Sequence, residues 1–191
     1  MISILRQHLI SNTELRQDAI DVICKTFTAR TFRADEPVIS VNSRVTMIGF
    51  IVEGILRAVE HKPSGERTIH YFLSEHHFFS EANGLFRNKP AKLSIEAATP
   101  STILCSSIEE LYNLRKSIEG LEQALNENKE RELVDIIEAQ EILHKGKSHE
   151  RYLEFIKQNP GLANRLKDKD IASYLGISKY TLSHIKKRSI Q

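Results

Sequence analysis

Lys179, Tyr180, Ser183, His184, Lys186 and Lys187 are side chains of the types that hydrogen-bond base edges and phosphates, and they crowd into one short stretch near the C-terminal end of the chain. A lysine can donate to guanine or to a phosphate. Tyr180 offers a hydroxyl and a ring edge for a thymine methyl, and His184 donates or accepts according to its protonation. Such a set reads DNA only if a rigid helix presents it along one face. The run from Asp168 to Lys187 has the spacing for that. Ile171, Leu175, Ile177, Leu182 and Ile185 take the positions buried between two crossing helices, and Ala172 sits where the helices come closest. Gly176 occupies the left-handed turn that a residue with a Cβ adopts at a cost of about 1 kcal/mol or more. Ser178 then caps the second helix. The spacing predicts a helix-turn-helix whose recognition helix runs from Ser178 to about Arg188.

The charge distribution fits the same reading. Residues 147–191 hold ten Lys and Arg against four Asp and Glu, leaving 17 against 21 in the first 146 residues, so the net charge of +2 conceals a basic end on an acidic body. A basic end suits contact with phosphates. The absence of Trp and the 7% aromatic content argue against a stacking platform for single strands. No stretch approaches the ~20 apolar residues of a membrane span, and MISILRQHLI is too short and too interrupted for a signal peptide, so a cytoplasmic protein with no membrane partner is expected. Cys24 and Cys105 stand far apart and are read as small core residues.

Three zones must position the helix-turn-helix. Residues 1 to about 30 read as helical, with Leu5, Leu9, Leu15, Ala19, Val22, Ile23 and Phe27 at three- and four-residue steps, and with Asn12 or Thr13 as a cap for the second segment. From Thr31 to Ile108 the pattern turns to short apolar runs, Phe50-Ile51-Val52, Ile55 to Val59, Thr68 to Leu73 and Ile95 to Ala97, separated by turn residues. About eight short strands at this spacing predict a small antiparallel barrel or jelly roll. Residues 109 to 143 return to helical spacing, contain Gly120 but no Pro, and carry ten acidic against four basic residues. Leu114, Ile118, Leu121 and Leu125 form an apolar stripe there, which predicts a long helix, about 109–143, packed against a second copy of the chain. The fold class is therefore α+β.

This order of parts, together with LKDKDIASYLGISKYTLSHIKKR, RYLEFIKQNPGL, FIVEGILRAV, GERTIHYF and the FFSEANGLF-to-LSIEAAT segment, resembles the cyclic-AMP receptor protein and fumarate-nitrate reduction regulator family of bacterial transcription factors. The resemblance spans nearly the whole chain. It implies an effector domain over 1–145, a double-stranded β-helix (jelly roll) bearing the dimer helix, and a DNA-binding domain over 146–191. It also implies a homodimer on a two-fold site in double-stranded DNA, with RNA polymerase as a further partner. In the relatives, the residues matching Lys179, Tyr180 and His184 point at base edges, and those matching Ser178 and Thr181 hold phosphates. The sequence ends at Gln191, so a C-terminal wing is not expected.

The nucleotide-binding cassette is where the sequence departs from that family. Its pattern is Phe-Gly-Glu, a short helix, then Arg; here Phe79-Ser80-Glu81 keeps the acid, Ala91 falls where the Arg belongs and Lys92 on the next position. A buried phosphate without its bidentate guanidinium loses several kcal/mol of charge-assisted hydrogen bonds. Side chains alternate along a strand, so Lys92 does not replace that Arg directly. Cyclic AMP is therefore not expected to bind; Ser80, Glu81, Ala91 and Lys92 mark a pocket for another effector or for none. His70, His76 and His77 lack metal-ligand spacing, and no nucleophile elbow or phosphate loop is present, so neither a metal site nor catalysis is expected. The rival reading is a ligand-binding or protein-interaction module without an operator.

Overall fold

The computed structural model describes residues 1–144 and 146–188, the side chains of residues 132 and 135 excepted. Two helices, α1 (Ile2–Asn12) and α2 (Gln17–Lys25), precede strands β1 (Thr28–Phe32), β2 (Pro37–Ile39), β3 (Met47–Glu53), β4 (Leu56–His61), β5 (Arg67–Leu73) and β6 (Phe78–Phe79). Helix α3 (Ala82–Arg87) leads to β7 (Ser94–Ala97) and β8 (Ser101–Ser107). Then follow α4 (Ile108–Leu114), α5 (Leu121–His144), α6 (Ser148–Gln158), α7 (Pro160–Ala163), α8 (Asp168–Tyr174) and α9 (Lys179–Arg188). The antiparallel strands form two four-stranded sheets ordered β1-β8-β3-β6 and β2-β7-β4-β5, the jelly roll that the short, turn-punctuated apolar runs predicted. Among the described residues no helix is long and apolar enough to cross a membrane.

Why these strands read as runs rather than as clean alternation becomes clear from the packing. At β3 and β4 the sheets are covered on both faces, so neighbouring side chains that point in opposite directions are both buried there. In β4, Leu56 and Ala58 face the roll interior with Phe79 and Ile103, while Val59 and, just before the strand, Ile55 join an outer cluster with Phe155, Ile171, Tyr174 and Leu182 of the C-terminal helices. In β3, Ile51 faces inward, whereas Phe50 and Val52 pack beneath Leu5, Leu9, Ile20 and Ile23 of α1 and α2. Cys24 and Cys105 are buried core residues, and burial is the main force that pushes both thiols up in pKa.

Two local expectations are replaced. Helix α2 starts at Gln17 without a side-chain cap; Thr13 Oγ1 and Asn12 Nδ2 instead donate to Leu9 O and His8 O, satisfying the carbonyl end of α1. The long helix is not continuous: Gly120 adopts a φ of +79°, a left-handed turn that separates α4 from α5. That break lets Leu114 and Ile118 drop toward α1 and α2, with Leu121 3% exposed and Leu125 partly covered in the same cluster. The apolar positions that α5 leaves open are farther along, at Leu133, Val134 and Ile137, 58%, 52% and 52% exposed. Its 24 residues still extend ~36 Å. The residue after the proposed effector domain's last helix, 145, and the segment after α9 where a wing would follow, 189–191, lie outside the described residues.

Candidate functional site

Helices α8 and α9 meet through a turn built as the sequence required. Gly176 sits at φ +64°; the Ile177 amide donates to Ala172 O at 3.0 Å and the Gly176 amide to Ser173 O at 3.2 Å, the paired bonds that close a helix on a left-handed residue. Ser178 Oγ then accepts from the Thr181 amide at 3.0 Å, capping α9. Ile171, Ala172, Leu175, Leu182 and Ile185 are buried between the helices and their neighbours, and Ile177 is partly buried beside them. With Leu182 and Ile185 pinned inward, Lys179, Tyr180, Ser183, His184 and Lys187 come out along the opposite, exposed face. Tyr180 is 74% exposed, its ring 4.4 Å from that of His184. Three of the sequence-derived DNA contacts are engaged within the chain: the Thr181 and Ser178 hydroxyls meet each other, and Lys186 Nζ pairs with Asp168.

Sequence reasoning missed how this unit is held on the roll. Arg57, inside the apolar run of β4, is fully buried and reaches three acids: its Nε and Nη2 donate to Glu96 Oε2 at 3.1 and 2.8 Å, its Nη2 to Asp35 Oδ1 at 2.7 Å, and its Nη1 to Asp170 Oδ2 at 2.8 Å. Asp170 lies in the first turn of α8, so one guanidinium ties the helix-turn-helix to both β4 and β7. Arg67 also donates to Glu96, Lys167 to Asp35, and Arg165 to Glu75 through two bonds at 3.0 and 2.5 Å. The Lys167 ammonium, followed by Arg57, holds the Asp35 carboxyl well below the usual range. Ser173 completes the seam on the edge strand β5, its Oγ donating to Arg67 O and accepting from the Ile69 amide. Covering an edge in this way removes its unpaired backbone groups from other strands. The signal in the sequence was an Arg and a Glu, Arg57 and Glu96, each within a run of otherwise apolar strand residues.

The cassette residues meet, but in an unexpected arrangement. Glu81 is buried and caps α3: Oε2 accepts from the Gly84 amide at 2.9 Å, and Oε1 accepts from the amides of Lys92 and Leu93 at 3.1 and 3.5 Å. Its carboxylate thus clasps the two ends of the loop instead of facing an open space. Ser80 Oγ donates to Met47 O, Ala91 is buried in the roll core, and the Lys92 side chain is exposed. Beside the cassette, between α1, β6, α3 and α5, lies a cavity of about 240 Å³ with mainly apolar walls that include Leu9, Phe27, Phe78, Leu121 and Leu125. Among the described residues, no three His, Cys, Asp or Glu side chains converge as metal ligands would; His70 bonds to Glu60 and His61 to Glu96.

Residues 29–117 match the family model described as a cyclic nucleotide-binding domain. No curated protein matches the chain. Among solved structures, FixK2 from Bradyrhizobium japonicum superposes with a TM-score of 0.72 at 19% identity, covering 85% of this chain and 83% of its own. A protein of Eubacterium rectale described as a transcriptional regulator of the Crp/Fnr family gives 0.72 at 16% identity, covering 94% and 85%. The c-di-GMP responsive global regulator CLP from Xanthomonas campestris gives 0.71 at 12%, covering 91% of each chain. At these identities the likeness is one of fold. It bears out the resemblance read from the sequence: a cyclic nucleotide-binding jelly roll followed by C-terminal helices, arranged as in regulators of that family.

Proposed function

We propose that this chain is a sequence-specific, DNA-binding transcription regulator that acts as a homodimer in the cytoplasm and is modulated through its jelly roll. The observation that carries this reading is α9 itself: Leu182 and Ile185 lock its inner face while Lys179, Tyr180, Ser183, His184 and Lys187 form a continuous polar outer face. In this reading Lys179, Tyr180 and His184 contact bases, Ser178, Thr181 and Lys187 contact phosphates, and Lys186 joins them by exchanging Asp168 for phosphate. Two such helices would enter successive major grooves about 34 Å apart. The exposed Leu133, Val134 and Ile137 of α5, rather than the inward Leu114, Ile118, Leu121 and Leu125, support the face through which a second copy would pack. Selection from random duplex DNA tests the proposal. Enrichment of a two-fold sequence is the expected result; recovery of DNA without any common sequence would leave the interaction-module reading in its place.

A further inference from the structure

The cavity beside the cassette has a chemistry unlike that of a nucleotide site. Its volume of about 240 Å³ exceeds the ~150 Å³ of an apolar protein cavity that admits benzene, so it has room for on the order of ten carbon atoms. Leu9, Phe27, Phe78, Leu121 and Leu125 give it an apolar wall, and Lys129 and Arg131 bring positive charge only where α5 borders it. Burial, and then His76 and Arg131, hold the His8 imidazole below its ordinary pKa, which keeps that part of the wall neutral at pH 7. The neighbouring carboxylate that could hold a ribose, Glu81, is already spent on backbone amides.

Where α5 borders the cavity the character changes. Lys129 and Arg131 both line it, and both are bonded to neutral oxygens. Lys129 Nζ donates to Asn126 Oδ1 at 3.1 Å and stands 5.6 Å from the Phe86 ring centroid. Arg131 donates to Asn12 Oδ1 and Asn12 O at 3.3 and 3.2 Å and to Glu127 O at 3.4 Å. Among the described residues these bonds to neutral acceptors leave two positive charges beside an apolar hole. An uncharged hydrocarbon would leave those charges unused, and the sugar and base of a nucleotide would bury their polar groups among apolar walls.

We infer that the cavity is a binding site for an amphipathic monocarboxylate, an aliphatic or aryl chain of about eight to ten carbons whose carboxylate pairs with Lys129 or Arg131 where α5 borders the cavity. The inference rests on reading the roll as an effector domain. Leu133 lines the cavity and is also one of the open apolar positions of α5, so an occupant touches the face assigned to the second copy.

Decanoate is the probe, with decanol and cyclic AMP beside it, in calorimetric titration and thermal melting of the full chain without DNA. Decanoate is expected to saturate at one per protomer and to raise Tm; decanol should bind about tenfold more weakly and cyclic AMP should not compete. The double change Lys129→Gln with Arg131→Gln should lower decanoate affinity about tenfold and abolish the preference for acid over alcohol. Absence of saturable decanoate binding, equal affinity for acid and alcohol in the unaltered protein, unchanged decanoate affinity in the double variant, or displacement by cyclic AMP would each overturn the inference. Selection of DNA on the same preparation is scored separately. Operator enrichment without decanoate binding overturns only the site, and decanoate binding without enrichment overturns only the regulator reading.

Discussion

Replacing Asp170 by Ala strands a guanidinium that has no route to water. Arg57 is fully buried, and the bond from its Nη1 to Asp170 Oδ2 at 2.8 Å is the link between β4 and the first turn of α8. The unaltered node balances Arg57, Arg67 and Lys167 against Asp35, Glu96 and Asp170; the variant leaves one positive charge in excess. Breaking a buried pair from one side costs about 3–5 kcal/mol, and because Glu96 and Asp35 still face Arg57 the lower end, about 3 kcal/mol, applies. Arg57 recovers hydration if α8 lifts away, so the loss falls on the seam between α8 and β5. Urea unfolding at pH 7 measures the total. Hydrogen exchange at the Ile69 amide, which donates to Ser173 Oγ across that seam, measures the local part and should accelerate by about a hundredfold. Arg57→Met combined with Asp170→Ala should cost about 1–3 kcal/mol less than the two single changes summed. An unfolding free energy within about 0.5 kcal/mol of the unaltered protein, with Ile69 still protected, would refute the reasoning.

On the selected operator, Lys179→Ala or Tyr180→Ala should each cost about 1–3 kcal/mol and relax preference at the contacted bases, whereas Lys187→Ala weakens all sequences alike and lowers the salt slope by about one; a panel of single-base operator changes titrated at several salt concentrations checks this. Leu133→Glu with Ile137→Glu should yield monomers in sedimentation at micromolar concentration, and a dimer unchanged by both charges would rule this face out. The Arg165 guanidinium, aided by the Gly54 amide, lowers the Glu75 carboxyl from its ordinary 4.5 to about 2, so the contribution of this seam pair is complete above pH 4.5 and is lost as pH falls through about 2. Acid melts of Glu75→Gln and the unaltered protein should therefore converge at the low end of that window. Gly176→Ala meets no atom within 4 Å of the added Cβ but keeps φ +64°, so its cost should be the backbone strain of about 1 kcal/mol in urea unfolding, with no cavity or clash contribution.

The helix-turn-helix and the roll are legible in the amino-acid order, because both are written in local periodicity. Leu182 and Ile185 could face inward only if Lys179, Tyr180 and Lys187 faced out, and Gly176 allowed one backbone turn between α8 and α9. The short apolar runs of β3 and β4 likewise named strands, though not why both faces are buried. That was decided by what packs on each sheet, α1 and α2 over β3, the C-terminal helices over β4. Periodicity marks an apolar face without naming the surface that covers it: of the stripe Leu114, Ile118, Leu121 and Leu125, whose spacing predicts a dimer seam, Leu121 is buried and the other three are partly covered within the protomer. Glu81 matched a nucleotide pattern, yet backbone amides eleven and twelve residues away occupy its carboxylate. Arg57 and Asp170, 113 residues apart, carry no periodic signal at all. Their pairing follows from tertiary structure alone, because a buried charge is tolerated only where distant parts of the chain bring its counterions within reach.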